Sequence, residues 1–278
     1  MIYLLLAILC SAMLSIIMRL SQRHVGNDLS MLGFNYITCV ILSLIASGVG
    51  NIFPHAEGIR VTLGLGVING FLYLAGFVLL QVNIKRNGVV MSTTFMKLGL
   101  LVPMIFSLVV FGERMNLMQS IGTALALSAI VLINAQREET NLSFKWGLIL
   151  LLLANGGANG MSKVYDEVGN EALSSQFLLY TFAMACLLCW ALAIYKKEKV
   201  TKYHVLYGVI IGVPNFFSAK FLLKSVQMLP AVIAYPTFSV GAIIVVSLVS
   251  ICFFKEKLDQ RQWIAIVGIL VALVLLNI

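Results

Sequence analysis

Ten apolar stretches follow one another along this chain, at 2–18, 30–50, 61–82, 88–111, 117–134, 144–162, 173–195, 204–224, 230–254 and 262–277, with only short loops between them. About 20 apolar residues in a helix cross the roughly 30 Å hydrocarbon layer of a bilayer. Inside that layer each backbone N–H and C=O must find its partner within the protein, so stretches of this length can span it only as helices. The expected fold class is an all-α integral membrane protein with ten transmembrane helices. Composition agrees, because 60% of the residues are hydrophobic, 11% are charged and the mean hydropathy is +1.00, far from the balance of a soluble domain. No loop is long enough for a soluble catalytic domain or a nucleic-acid-binding module. The net charge of +8 therefore reads as membrane orientation.

The two halves are one segment written twice at an offset of 143 residues. Met18 pairs with Met161, Val25-Gly26-Asn27 with Val168-Gly169-Asn170, Phe34 with Phe177, Thr94-Phe95 with Thr237-Phe238, Glu113 with Glu256, Gln119 with Gln262 and Asn134 with Asn277. Each half carries five spans, and an odd number makes the second copy enter from the opposite face. The expected organisation is a first five-helix repeat over 1–140 and a second, inverted one over 141–278. Inverted repeats are a transporter architecture.

Charge supports the inversion. The odd-numbered loops carry thirteen Lys and Arg residues against four, Arg60, Arg114, Lys163 and Lys224, in the even-numbered ones. Cations gather on the cytoplasmic side, so charge alone places both termini on the opposite face. The first span has neither a basic leader nor a convincing cleavage site and reads as a retained helix rather than a signal peptide. Cys10, Cys39, Cys186, Cys189 and Cys252 all lie in apolar stretches, where a thiol acts as a small hydrophobe. The C-x-x-C at Cys186 and Cys189 lacks the context of a redox or zinc motif, so neither metal nor cofactor is expected.

The ends of the repeats carry a family resemblance. Phe111-Gly112-Glu113 leads through Gln119 and Gly122 to Leu132, and Phe254-Lys255-Glu256 leads through Gln262 and Gly268 to Leu275. With ten spans in two repeats, the chain resembles the EamA-like, ten-helix branch of the drug/metabolite transporter superfamily. The resemblance implies a small-molecule carrier with a central site between the repeats and alternating access. It also implies cytoplasmic termini, so the orientation stays open between charge and resemblance. The expected location is the cell (inner) membrane, multi-pass. The expected partners are a small-molecule substrate and the lipid bilayer, with a homodimer as a candidate assembly and no nucleic acid.

Small residues four apart let helices approach closely in lipid. Gly66-x-x-x-Gly70, Gly156-x-x-x-Gly160, Gly208-x-x-x-Gly212 and Gly268-x-x-x-Ala272 read as such seams, and Pro103, Pro214 and Pro236 as kinks or hinges. Function should lie with polar groups that are costly in lipid, since an ionisable side chain within a span costs roughly 2.5–3.5 kcal/mol on insertion scales. Lys97 falls in the middle of the fourth span, and Lys220 in the eighth with Lys224 one turn on. The spans also supply Asn35, Tyr36, Asn69, Tyr73, Thr93 and Thr94 in the first half, and Asn155, Asn159, Tyr180, Asn215, Tyr235 and Thr237 in the second. The candidate substrate-binding set is Lys97, Lys220, Tyr73, Asn69, Thr94, Asn155, Asn159, Asn215 and Tyr235. For Asn155 and Asn159, which share a helix face, bridging two helices competes with meeting a substrate. Glu113 and Glu256 are candidate gates, against a plain role in ending a helix or pairing with Arg114 or Lys257.

All eleven acidic residues fall in loops or at helix ends. Small multidrug exporters of the same superfamily resemble this chain in their helices and exchange protons for cationic drugs through a glutamate in the first span. Here that span offers only Ser11 and Ser15. Embedded cations without embedded carboxylates favour an anionic or amino-acid-like substrate. The alternative is a flippase whose lysines meet a lipid or lipid-linked headgroup. An enzyme is disfavoured, because no catalytic motif occurs, and so is a channel, which would show a charge ring or filter.

Overall fold

In the computed structural model, residues 1–22, 24–25, 29–48, 51–134, 145–254 and 260–277 are described. Among them no β-strand occurs. The helices are α1 (Ile2–Ser21), α2 (Leu29–Ser47), α3 (Ile59–Asn87), α4 (Val89–Leu98), α5 (Leu101–Val109), α6 (Leu117–Asn134), α7 (Lys145–Val168), α8 (Ser174–Tyr195), α9 (Lys202–Val226), α10 (Ala231–Phe254) and α11 (Gln260–Leu276), with a 3₁₀ turn at Glu171–Leu173. They account for all ten predicted spans. Among the described residues seven spans are long and apolar enough to cross a membrane, and α6 and α11 contribute shorter apolar stretches. Among the rest, α7 is long but interrupted by Asn155, Gly156, Gly157, Asn159 and Gly160.

The fourth span is where the structure departs from a single helix. It divides into α4 and α5 at Gly99 and Leu100, whose φ and ψ of −53° and −24°, and −57° and −21°, are those of a 3₁₀ turn. The cause is Pro103, which has no N–H to offer the Gly99 carbonyl four residues back. That carbonyl instead accepts from the Val102 N–H at 3.0 Å, and the Lys97 carbonyl accepts from Leu100 at 3.4 Å. Pro214 and Pro236 differ, since α9 and α10 run on through them.

The chain forms two compact units that draw on both halves of the sequence: one from Ala75–Gly160 and Met228–Ile278 with Met1, the other from Ile2–Leu74 and Met161–Gln227. In the second of these, α2 packs on α8 and α9, and α1 packs on α9. Glycines permit the approach. A Cβ on Gly208 would strike Phe34 and the Met31 carbonyl, one on Gly212 would strike Thr38, and ones on Gly66 and Gly70 would meet α8 at Tyr180 and Thr181. In the other unit α6 packs along α11, and Ala126, Ala129, Ile130, Val240, Ala265, Ile269 and Ala272 fill the seam. Gly156 and Gly160 lie against Gly99, Val102 and Pro103. The seam expected at Gly268 is different: its surroundings are open to ordinary contact distances, and the close approach between α6 and α11 is made by Gly122 against Ala272 and Leu275. A small-residue pair shows that helices can approach, but not which of two facing helices supplies the missing Cβ.

Each unit exposes apolar side chains and buries polar ones alongside its apolar core, whereas a soluble bundle presents a polar surface. Leu5, Leu9 and Met13 of α1, Val205, Val209 and Val213 of α9, and Ile264, Val267, Val271 and Val274 of α11 form exposed stripes at helical spacing, while Ser30, Asn35, Thr38 and Ser43 of α2 and Ser92, Thr94, Ser107 and Thr123 of α4, α5 and α6 are buried. This is the pattern lipid imposes. The cysteines are free thiols, and Cys39 and Cys189 donate weakly to the Gly212 and Leu29 carbonyls at 3.3 and 3.2 Å.

Candidate functional site

The predicted site residues fall into two groups, one in each compact unit. The first group is built on α4, α7 and α10. Asn155 Nδ2 donates to the Met96 carbonyl at 2.7 Å, Asn159 Nδ2 to the Asn155 carbonyl at 2.9 Å, and the Tyr235 hydroxyl to the Asn159 carbonyl at 2.9 Å. This relay leads to the residue next to Lys97. Tyr235 is 1% exposed and Thr94 is also buried. The two asparagine amides thus hold backbone, and Asn155 bridges α7 to α4. The Met96 carbonyl also accepts from the Gly99 N–H at 3.2 Å, so the amide adds a second bond to it at the break.

Lys97 lies in the last turn of α4, immediately before the break, and is partly buried. Among the described residues no hydrogen bond or ion pair engages its ammonium. Lys163 shows the contrast. The sequence reads it as a loop cation, yet it sits on α7 with its side chain 8% exposed, 3.3 Å from Asp166 and 2.6 Å from Glu167. A buried cation is normally paired in this way. The K-x-x-D-E spacing carries that signal in the sequence, because residues three and four apart share a helix face.

Glu113, a candidate gate, joins the same unit. Its carboxylate accepts from the Ala231 N–H at 3.1 Å and the Val232 N–H at 3.0 Å. These are orphan donors in the first turn of α10, so the glutamate caps a distant helix instead of merely ending its own. Glu256 lies outside the described residues.

The second group surrounds Phe182 of α8. Tyr73 of α3 meets that ring edge-on at 6.0 Å, and Phe216 of α9 lies 6.4 Å from it. Asn69 Nδ2 reaches the Thr181 hydroxyl at 3.4 Å, while its Oδ1 is buried without a partner among the described residues. Asn215 Nδ2 donates to Asn35 Oδ1 at 3.1 Å, and the Lys220 ammonium lies 5.8 Å from the Phe216 ring centre, a cation–π contact. Glu198 of the loop after α8 accepts from the backbone and hydroxyl of Ser30 at 3.0 and 3.1 Å, capping α2. Nothing in the sequence signals that contact across 168 residues. Among the described residues no three His, Cys, Asp or Glu side chains group as a metal site.

A family model describing EamA-like transporters matches residues 1–135 and again residues 145–278. The chain belongs to the EamA-like transporter family. An uncharacterized protein of Haemophilus influenzae is 23% identical to this EamA-like transporter over 278 residues, covering 95% of the chain and 93% of that protein. Two shorter similarities are to proteins named as probable subunits, ArnE, of a 4-amino-4-deoxy-L-arabinose-phosphoundecaprenol flippase. The protein from Photorhabdus laumondii is 28% identical over 33% of this chain and 76% of its own length, and that from Proteus mirabilis is 36% identical over 22% and 53%. A solved crystal structure shares the fold with a TM-score of 0.73 at 15% identity, covering 99% of this chain and 94% of the other. The protein is a multi-pass membrane transporter.

Proposed function

We propose that this EamA-like transporter carries a small anionic or amino-acid-like metabolite across the cell (inner) membrane, by alternating access around a central site to which both repeats contribute. Lys97 carries the reading. It is a cation within a membrane-spanning segment, without a hydrogen-bonding or ionic partner among the described residues, in a chain that elsewhere pairs its buried lysine twice. An ionisable group left open in a span points to a ligand of opposite charge. The break beside it supplies a place where α4 and α5 can change their mutual angle without unwinding a full turn. The substrate passes through unchanged, and neither cofactor nor metal takes part.

A ligand bound only by the folded protein raises its unfolding temperature with occupancy. Detergent-purified protein is therefore to be screened against anionic, zwitterionic, neutral and cationic metabolites, beside Lys97→Gln. Stabilisation by anions or amino acids that disappears in the variant is the expected result. Stabilisation by cations, or by anions equally in both proteins, contradicts the reading. A second reading, translocation of a lipid-linked headgroup, draws support from the two flippase-subunit similarities; it predicts stabilisation by lipid-linked anions and not by their free headgroups.

A further inference from the structure

The start of α8 and the end of α9, with Tyr3 of α1, line a half-open cavity of about 260 Å³, with Lys220, Lys224, Glu171, Ser174, Ser175 and Gln227 on its polar side and Leu178, Phe221 and Leu223 on its apolar side. We propose that this cavity binds the phosphate group of a phosphate ester, either a free ester or an anionic lipid headgroup. The inference is independent of the role of Lys97, which belongs to the other compact unit.

Three observations converge on it. The first is charge. Lys224 is bonded to Glu171 at 2.6 Å, whereas among the described residues Lys220 has only the Phe216 ring at 5.8 Å, so the cavity carries one cation in excess. An ammonium has three donors, and the Lys224–Glu171 pair is 41% and 70% exposed, which makes it a screened pair that can share its cation with a ligand. The second is the wall opposite the lysines. The cavity meets the start of α8, which continues from the 3₁₀ turn at Glu171–Leu173 and whose Ser174 N–H is bonded to the Glu171 carbonyl, so this wall offers side-chain hydroxyls and not free backbone donors. That turn is held in place: Ser174 donates to the Glu171 carbonyl at 2.6 Å and accepts from Gln227 Nε2 at 3.3 Å. Ser175, next to it, faces the same space. The third is shape. Lys220 and Lys224 stand one helical turn apart on α9 and line the same space as Ser175 of α8, a set of donors that three or four phosphate oxygens can engage more fully than the two of a carboxylate. Leu178 and Phe221 then offer an apolar wall for whatever the phosphate esterifies.

Native mass spectrometry of the full chain in detergent tests this, with phosphatidylglycerol, glycerol 3-phosphate and phosphate-free diacylglycerol as probes. The expected result is retention of at least one phosphate-bearing probe over diacylglycerol, weakened by about tenfold in Lys220→Gln, as loss of one charge-assisted bond implies. Lys220→Arg, which keeps the cation, should retain it. Retention of glycerol 3-phosphate identifies a soluble ester as sufficient, and retention of phosphatidylglycerol alone identifies a lipid headgroup. Equal retention by wild type and Lys220→Gln overturns the assignment. So does a wild type that retains neither phosphate-bearing probe.

Discussion

Glu113 illustrates how one carboxylate substitutes for several interactions that lipid cannot provide. By accepting from Ala231 and Val232 it satisfies two donors of α10 and places a negative charge at the positive end of that helix. Glu113→Ala should destabilise the protein by about 1–2 kcal/mol, the usual worth of a helix cap, and lower the unfolding temperature. Glu113→Gln, which keeps one acceptor oxygen, should lose less. A transport defect in Glu113→Gln without any thermal shift would instead favour a gate. Asn155 makes a comparable prediction. Its bond to the Met96 carbonyl joins α7 to α4, and since bonds between membrane helices average about 0.6 kcal/mol and seldom exceed 2, Asn155→Ala should cost about 1 kcal/mol in thermal unfolding and should weaken substrate binding by displacing α4 next to Lys97.

At the scale of elements, the α4–α5 junction is the feature with the clearest consequences. Pro103→Ala restores the N–H that the Gly99 carbonyl lacks, which should continue α4 into α5 as one straight helix. The expected outcome is a protein at least as stable in thermal unfolding but slower in transport, because the turn at Gly99 and Leu100 is then lost. Gly156→Val tests the packing of the same junction. A Cβ at Gly156 already meets the Gly99 carbonyl and Val102, so a larger side chain should cost at least the 1–3 kcal/mol of an overpacked core, read as reduced thermal stability. Gly268→Ala, with nothing closer than 3.8 Å around its Cβ, should be nearly neutral. Much of this level was legible in the sequence. Apolar length gave every span, because a bilayer fixes that length, and the seams at Gly66, Gly156 and Gly208 follow from small residues four apart. A kink could be read from Pro103, although its consequence, a 3₁₀ turn at Gly99 and Leu100 just beyond the Lys97 helix, depends on which carbonyl Pro103 abandons. Contacts such as Glu198 with Ser30 and Asn215 with Asn35 were not legible, since they join residues 168 and 180 apart with no periodic pattern. The roles of Asn155 and Asn159 were only half legible: their shared face was evident, but not that both amides would hold backbone carbonyls.

For the whole molecule, membership of the EamA-like transporter family and the distribution of polar groups meet in a single question of charge. The spans put apolar residues toward lipid, hold most buried polar groups in internal bonds, and leave the Lys97 ammonium without an internal partner among the described residues. The account therefore predicts the sign of the substrate before its identity. The most direct measurement is counterflow uptake by purified protein in liposomes preloaded with candidate substrates, comparing labelled organic acids, amino acids and phosphorylated metabolites with lipophilic cations for wild type and Lys97→Gln. The account predicts counterflow of at least one anionic or amino-acid solute by wild type, lowered at least about tenfold in Lys97→Gln, as removal of one charge-assisted contact implies, and no counterflow of the cations. Counterflow of lipophilic cations alone, or anion counterflow that Lys97→Gln leaves unchanged, would contradict it.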